Sequence, residues 1–253
     1  MTLPVLWQFR ISHYNEKARW ALDFKRIRHV RRSLLPGLHV PRVLWMTGQK
    51  SLPVLILDGK TIADSTRIIE ALEQAYPDPP LYPSDENARR RALMLEEFFD
   101  EELGGHIRRA FFHDLLPHTD YAASLNAVGS GPATRRVYRA IFPLMRVVMR
   151  MDMRINTAGA ELGRQKTTAA LDRIEQELQP SGYLVGDRFS VADLTAAALL
   201  SPLVAPPEFP YPWPGPPPEP WATCRAALAE RRAFQWVAEM YRRHRGASME
   251  VAA

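Results

Sequence analysis

The stretch Ser51-Leu52-Pro53-Val54-Leu55-Ile56-Leu57-Asp58-Gly59-Lys60-Thr61-Ile62-Ala63-Asp64-Ser65 decides how the chain folds. Val54 to Leu57 is a short apolar run of strand-favouring residues. Asp58-Gly59 is a two-residue hairpin signal. Ser65 stands where a helix N-cap belongs, ahead of the apolar spacing Ile68, Ile69, Leu72. Pro53 precedes the strand, where a missing N–H is tolerated. The segment therefore predicts strand, tight turn, strand, helix. A helix start with free N–H groups and a hydroxyl is also an anion site, and Asp64 beside it suits an ammonium group. The same residues also read as a hairpin and a capped helix with no ligand.

Toward the N-terminus, Val5 to Phe9 reads as a first strand. Ser12 caps a helix that carries Glu16 in its first turn and Ala18, Ala21 and Leu22 as an inward stripe. His29 to Leu35 reads as a second strand and Val40 to Thr47 as a short, irregular helix. The resulting order of strand, helix, strand, helix, strand, strand, helix is thioredoxin-like and runs to about Tyr76. Pro77-Asp78-Pro79-Pro80-Leu81-Tyr82-Pro83 reads as a linker, because proline blocks helix continuation and stiffens the path. The expected domains are residues 1–76, thioredoxin-like, and 84–253, all-helical, joined by 77–83.

In the second part, Arg89 to Phe112 carries a broad apolar face that includes Leu93, Phe99, Leu103 and Ile107. Its acids Glu96, Glu97, Asp100, Glu101 and Glu102 read as a solvated face; no second Glu-x-x-His motif completes a metal set with His106. Leu116 to Pro132 reads as a loop. Ala133 to Ile155 is a basic amphipathic helix, with Arg135, Arg136, Arg139, Arg146, Arg150 and Arg154 on one side. Val137, Ile141, Leu144, Met145, Val148 and Met151 fall on the other. The favoured reading packs that apolar face into the core; the other is contact with an anionic membrane surface or an acidic partner. Glu161 to Leu178 is a further helix, and Ser190 to Asp193 has the spacing of a capping box, with Phe189 and Leu194 as its staple. The proline-rich Ser201 to Pro220 reads as a stiff loop folded over the helical domain, placed where it could cover the pocket; a polyproline recognition site is the other reading. Phe234, Trp236, Val237 and Tyr241 pack inward from the last helices, Cys224 is a small packing residue, and Gly246 onward reads as a frayed tail.

With 253 residues, 46% of them hydrophobic, the chain is large enough for two cores. A single cysteine, Cys224, excludes an internal disulfide and a CxxC redox pair. The net charge of +5 comes with no nucleic-acid motif. No run is long and apolar enough to span a membrane, and no signal-peptide pattern opens the sequence. The expected setting is cytoplasmic.

The run Leu-Pro-Val-Leu, the hairpin and Asp64-Ser65 resemble the glutathione-binding half of the glutathione transferase superfamily. Glu16-Lys17-Ala18-Arg19-Trp20-Ala21-Leu22 resembles the first helix of a bacterial, serine-type branch, and Val191-Ala192-Asp193-Leu194 resembles the helical-domain signature of the same superfamily. The resemblance implies a cis Pro53, backbone hydrogen bonds from Leu52 to the cysteinyl part of reduced glutathione, and Asp64 and Ser65 at its γ-glutamyl end. It puts Ser12 at the thiol-activating position, Gln8 where tyrosine-type members carry tyrosine, and Asn15 where a thioredoxin-like second cysteine falls. Tyr14 is a second hydroxyl close by, and Ser12 also reads simply as an N-cap. The family's cleft-lining helix makes His106, Arg109 and His113 candidates for the second substrate. The implied function is transfer of glutathione's thiol to a small hydrophobic electrophile by a detoxifying homodimer. Dehalogenation, isomerisation and peroxide reduction are sister chemistries. The alternative is a non-catalytic scaffold of the same fold that binds hydrophobic ligands or a protein partner.

Overall fold

The computed structural model describes residues 2–252. The N-terminal part is built from β1 (Val5–Gln8), α1 (His13–Phe24), β2 (Val30–Ser33), α2 (Val40–Thr47), β3 (Val54–Leu57), β4 (Lys60–Ala63) and α3 (Ser65–Ala75). Its sheet has the order β2-β1-β3-β4, with β1 parallel to β2 and the other pairs antiparallel. Alternation along β3 splits the core: Leu55 and Leu57 face α1 and α3, whereas Val54 joins Val43 and Leu52 on the α2 side. The hairpin turn has positive φ at both Asp58 (48°) and Gly59 (77°), the conformation an aspartate-glycine pair tolerates. The sheet and the helices around it have the thioredoxin-like arrangement expected of this half.

After the Leu52–Pro53-like cis bond at Asp78–Pro79 the chain is helical. It forms α4 (Glu86–Phe98), α5 (Gly105–Leu115), α6 (Thr119–Asn126), α7 (Pro132–Asp152), α8 (Thr157–Glu177), α9 (Val191–Leu199), α10 (Ser201–Val204), α11 (Trp221–Leu228) and α12 (Arg232–His244). None of the described helices is long and apolar enough to cross a membrane. Helix α9 is buried along its whole length and starts at the Ser190–Asp193 capping box.

The first helix is also where the two parts meet. Glu16, Lys17, Arg19, Trp20 and Asp23 are all buried, although four of the five carry charge. Burying a charge is tolerable only if it is paired, and here each one is. Arg245, just beyond α12, bonds Glu16 (2.6 Å) and Asp23 (2.8 Å), while Arg19 takes the other oxygen of Glu16 and Arg31 shares the Asp23 oxygen with Arg245. Trp20 lies against Phe189 and Tyr241 and donates its indole N–H to His244 O. The Glu-Lys-Ala-Arg-Trp run is thus the docking face between the sheet domain and the helical one.

Several expectations change in detail. The tail from Gly246 is docked rather than frayed: His29 donates to Met249 O, Val251 donates to His29 O, and Met249 N–H bonds Asp23. The predicted Arg89–Phe112 helix is interrupted by a π-helical turn over Phe99–Gly104. The predicted loop before Pro132 contains α6. In α7 the core face is Tyr138, Phe142 and Met149, while Val137, Leu144, Val148 and Met151 are exposed. The acidic run on α4 is only partly solvated, since Glu96 is buried.

Candidate active site

The hairpin, the start of α3 and the α4–α5 pair enclose a cavity of about 810 Å³. It is lined on one side by Leu52, Pro53, Ala63, Asp64, Ser65 and Thr66, and on the other by Tyr14, Leu93, Glu96, Asp100 and Arg108. The Leu52–Pro53 peptide is cis. Leu52 O accepts from Asn15 Nδ2 at 3.4 Å, and Asn15 Oδ1 accepts from Phe9 N–H at 3.2 Å. Asn15 therefore knots the end of β1, the start of α1 and the cis-proline loop together. It spends both ends of its amide on backbone, a structural use of the position where a thioredoxin-like second cysteine falls.

The start of α3 differs from the sequence reading. Asp64, not Ser65, is the N-cap, and its Oδ1 accepts from Thr66 and Arg67 N–H at 2.9 and 3.2 Å. An aspartate wins because its carboxylate both satisfies first-turn donors and complements the helix dipole. Asp64 reaches this geometry with φ at 81°, an unusual conformation for a residue with a Cβ. Oδ2 of Asp64 takes no hydrogen bond among the described residues. Ser65 becomes the first helical residue, buried, with a hydroxyl that bonds no protein group among the described residues. Ser65 and Asp64 thus offer the cavity a hydroxyl and one free carboxylate oxygen.

Under the cavity lies a buried ionic cluster. Lys17 Nζ, fully buried, contacts Glu96 at 2.8 Å and Asp100 at 2.5 Å and donates to Thr66 Oγ1 at 2.8 Å. Thr66 Oγ1 in turn lies 2.8 Å from Asp100 and 3.2 Å from Glu96. The cluster joins α1, α3 and α4 at one point. Burial pushes the Glu96 carboxyl up, and Lys17 opposes that shift.

The π turn supplies a second link. Tyr14 OH donates to Asp100 O at 2.8 Å, and His13 Nε2 donates to Gly104 O at 2.9 Å. A Cβ at Gly104 would lie 2.2 Å from the Tyr14 hydroxyl, so only glycine admits the phenol here. Burial lowers the His13 pKa to about 3, with the Arg108 charge acting in the same direction. The Tyr14 hydroxyl is pushed up, first by burial and then by Asp100. It is committed to a carbonyl and stays protonated.

Ser12 is the N-cap of α1, and its Oγ accepts a long bond from Asn15 N–H at 3.4 Å. Its own proton has no protein acceptor among the described residues. Ser12 does not line the cavity as Tyr14 does, but Asn15 bonds both its Oγ and Leu52 O. His106, Arg109 and His113 are not among the residues that line this cavity. Arg109 is tied to Met153 O, His106 lies against Arg109, and His113 pairs with Asp114. Arg109 thus reaches the end of α7, while its neighbour Arg108 lines the cavity. Sequence reasoning missed Arg108, and its one signal was the spacing Asp100, Gly104, Arg108 along a single face.

The proline-rich segment does not cover this cavity. Tyr211 OH instead accepts from Gln8 Nε2 at 2.7 Å, and the Phe209 and Tyr211 rings stack on buried Arg19. Gln8, at the strand end, also accepts from Arg19 and donates to Ser33, so its amide is fully used in structure.

Fold and site together define a protein with a thioredoxin-like half, an open cleft at its cis-proline loop, and a helical half that closes the cleft. Two family models match: "Glutathione S-transferase, N-terminal domain" over residues 6–80 and "Glutathione S-transferase, C-terminal domain" over residues 157–229, together more than half of the 253 residues. The chain belongs to the glutathione S-transferase superfamily. A probable maleylacetoacetate isomerase from Caenorhabditis elegans is 31% identical over 96 residues, covering 36% of this chain and 45% of that protein. The chain thus spans less than half the length of that curated relative. FtsZ-localized protein A from Caulobacter vibrioides is 23% identical over 201 residues, 78% of this chain and 75% of that one. The crystal structure of the theta class glutathione S-transferase from Xanthomonas axonopodis pv. citri, with glutathione bound, matches at a TM-score of 0.57 and 19% identity. That match covers 93% of this chain and 96% of the other and is a likeness of fold.

Proposed function

We propose that this chain binds reduced glutathione in the cavity and activates its thiol for attack on an electrophilic carbon. The observation that carries the proposal is the meeting, in one cavity, of the Leu52–Pro53 loop with the Asp64–Ser65 helix start. A cysteinyl backbone suits the Leu52 backbone where it lines the cavity. The γ-glutamyl carboxylate suits the Ser65 hydroxyl and the positive end of α3, and its ammonium suits the free oxygen of Asp64. A protein of the same fold with glutathione bound supports glutathione as the ligand.

Ser12 is the proposed thiol-activating residue. A free thiol with a pKa of about 8.5 is mostly protonated at neutral pH. A hydroxyl proton donated to sulfur, backed by the N-terminal end of α1, favours the thiolate. Tyr14 is the weaker of the two hydroxyls for this role, because its proton already goes to Asp100 O. The thiolate then forms a C–S bond, the leaving group departs with the bonding pair, and the thiol proton passes to solvent. The test is the ionisation of bound glutathione against pH in wild type and Ser12→Ala. The variant should raise the bound thiol's pKa by about 1 to 2 units, the worth of one charge-assisted hydrogen bond, with little change in glutathione affinity. An unchanged ionisation curve removes Ser12 from the mechanism.

A further inference from the structure

Two cations line the cavity: Arg67 is exposed on the first turn of α3, whereas Arg108 is partly buried in the wall and has no ion-pair partner among the described residues. It rises from α5 one turn after Gly104, beside the Tyr14 phenol that packs on that glycine. Its Nε is buried and bonds nothing, and no carboxylate among the described residues lies within ion-pair distance of its guanidinium. The charged groups that face it do not neutralise it. Arg109 carries the same sign, and Asp152, at the end of α7, already pairs with Lys50. The acids of the opposite wall are engaged elsewhere or stand at the rim: Glu96 and Asp100 hold Lys17, and Glu97 and Glu101 are exposed. Every other buried guanidinium in this fold is paired, as Arg19, Arg31 and Arg245 show. Leaving one half-buried and unpaired costs stability unless something fills the role. Its neighbour Arg109 is tied to Met153 O, so Arg108 is the arginine that α5 presents to the cavity.

We propose that the electrophile taken by this site carries a carboxylate, or an equivalent anionic group, that Arg108 binds through its guanidinium fork. This rests on the glutathione reading above and replaces the purely apolar electrophile suggested by the sequence. The arrangement divides the cavity by charge. The Asp64 side receives glutathione's ammonium, and the α5 side, next to Tyr14, receives the anion of the second substrate. A planar fork matches a carboxylate with two parallel hydrogen bonds, which a lysine does not reproduce. Arg108 is thus a specificity-determining residue, and the cavity has room for a tripeptide and a small acid together.

The experiment compares two stable conjugates of similar size by calorimetry, S-pentylglutathione and S-(4-carboxybutyl)glutathione, with glutathione itself as reference. Wild type should bind the carboxylate conjugate about tenfold more tightly than the neutral one, the worth of a charge-assisted pair. Arg108→Met should abolish that preference while leaving affinity for glutathione and for the neutral conjugate within about twofold. Arg108→Lys should recover only part of it. Binding of glutathione and the neutral conjugate with no preference for the carboxylate overturns the anion proposal and leaves the glutathione reading standing. Equal weakening of all three ligands in Arg108→Met also overturns it and assigns Arg108 to a carboxylate of glutathione. An Arg108-dependent response to the carboxylate conjugate alone, with no glutathione binding, sinks the glutathione reading and keeps the anion site. No binding of any of the three overturns both.

Discussion

Replacing Lys17 by methionine tests whether the floor of the cavity is held by charge. Methionine keeps most of the buried stem and removes only the ammonium, which lies 2.8 Å from Glu96 and 2.5 Å from Asp100. Two carboxylates then face each other in a site where Glu96 is 2% exposed and Asp100 14%. The Thr66 hydroxyl remains, but its single proton can serve only one of them. Breaking a buried pair by removing one partner costs about 3 to 5 kcal/mol. With a urea slope of about 2 to 3 kcal/mol/M, the unfolding midpoint should fall by about 1 to 2 M. The loss should depend on pH. Burial already raises the Glu96 pKa, and removing Lys17, which lowers it, raises it further. A carboxyl raised in the folded state holds a proton that the unfolded chain has released. Stability therefore falls as pH rises from the unfolded pKa through the folded one, and the variant should be nearest wild type at the acid end of that window. Urea titrations at about pH 5 and about pH 7.5 read both effects. Adding Glu96→Gln to Lys17→Met should restore part of the loss. A midpoint for Lys17→Met equal to wild type at the higher pH would refute the argument.

Two further substitutions probe the frame of the site. Gly104→Ala places a Cβ 2.2 Å from the Tyr14 hydroxyl and 2.5 Å from its ring carbon, so the ring must move and its bond to Asp100 O is lost. Thermal unfolding should show a cost of about 1 to 3 kcal/mol, and wild-type stability would mean the close approach is not tight. Asp193 accepts from Leu184 N–H, Ser190 N–H and Ser190 Oγ at 2.8 to 2.9 Å in the buried start of α9. Asp193→Ala leaves those donors unpaired and should cost about 3 kcal/mol in urea unfolding, with Asp193→Asn costing less. Burial raises the Asp193 pKa from 3.8 to about 6 against those hydrogen bonds. Its contribution should therefore fall as pH rises between those two values and level off above, a slope that Asp193→Asn should remove.

The sheet domain was legible in the sequence because its signals are local. The Asp58-Gly59 turn fixes a register within a few residues, and Ser12 and the Ser190–Asp193 box are caps that need only neighbouring N–H groups. The details that escaped depend on distant partners. The cap moved from Ser65 to Asp64 because a carboxylate at positive φ can serve two donors, which a spacing rule does not anticipate. The tail beyond Gly246 has no periodicity, yet it docks because the edge of β2 and the Asp23 carboxylate leave groups to satisfy. The π turn adds one residue to the register of the α4–α5 path, so faces read at helical spacing from Arg89 are rotated by Arg108. Arg108 lines the cavity, whereas His106, Arg109 and His113 do not. In α7, the regular apolar spacing named Val137, Leu144, Val148 and Met151 as core, whereas the packed face is the one bearing the aromatic Tyr138 and Phe142. Two apolar stripes on one helix cannot be ranked without knowing what lies beneath.

The most direct test of the account is a calorimetric titration of the full chain with reduced glutathione, in wild type and in Ser65→Ala. The Ser65 hydroxyl bonds no protein group among the described residues, so its removal leaves the start of α3, capped by Asp64, intact. Wild type should show saturable binding at one site, and Ser65→Ala an affinity about tenfold lower, the worth of one hydrogen bond to a carboxylate. Absence of binding to wild type, or an identical dissociation constant in the variant, would contradict it.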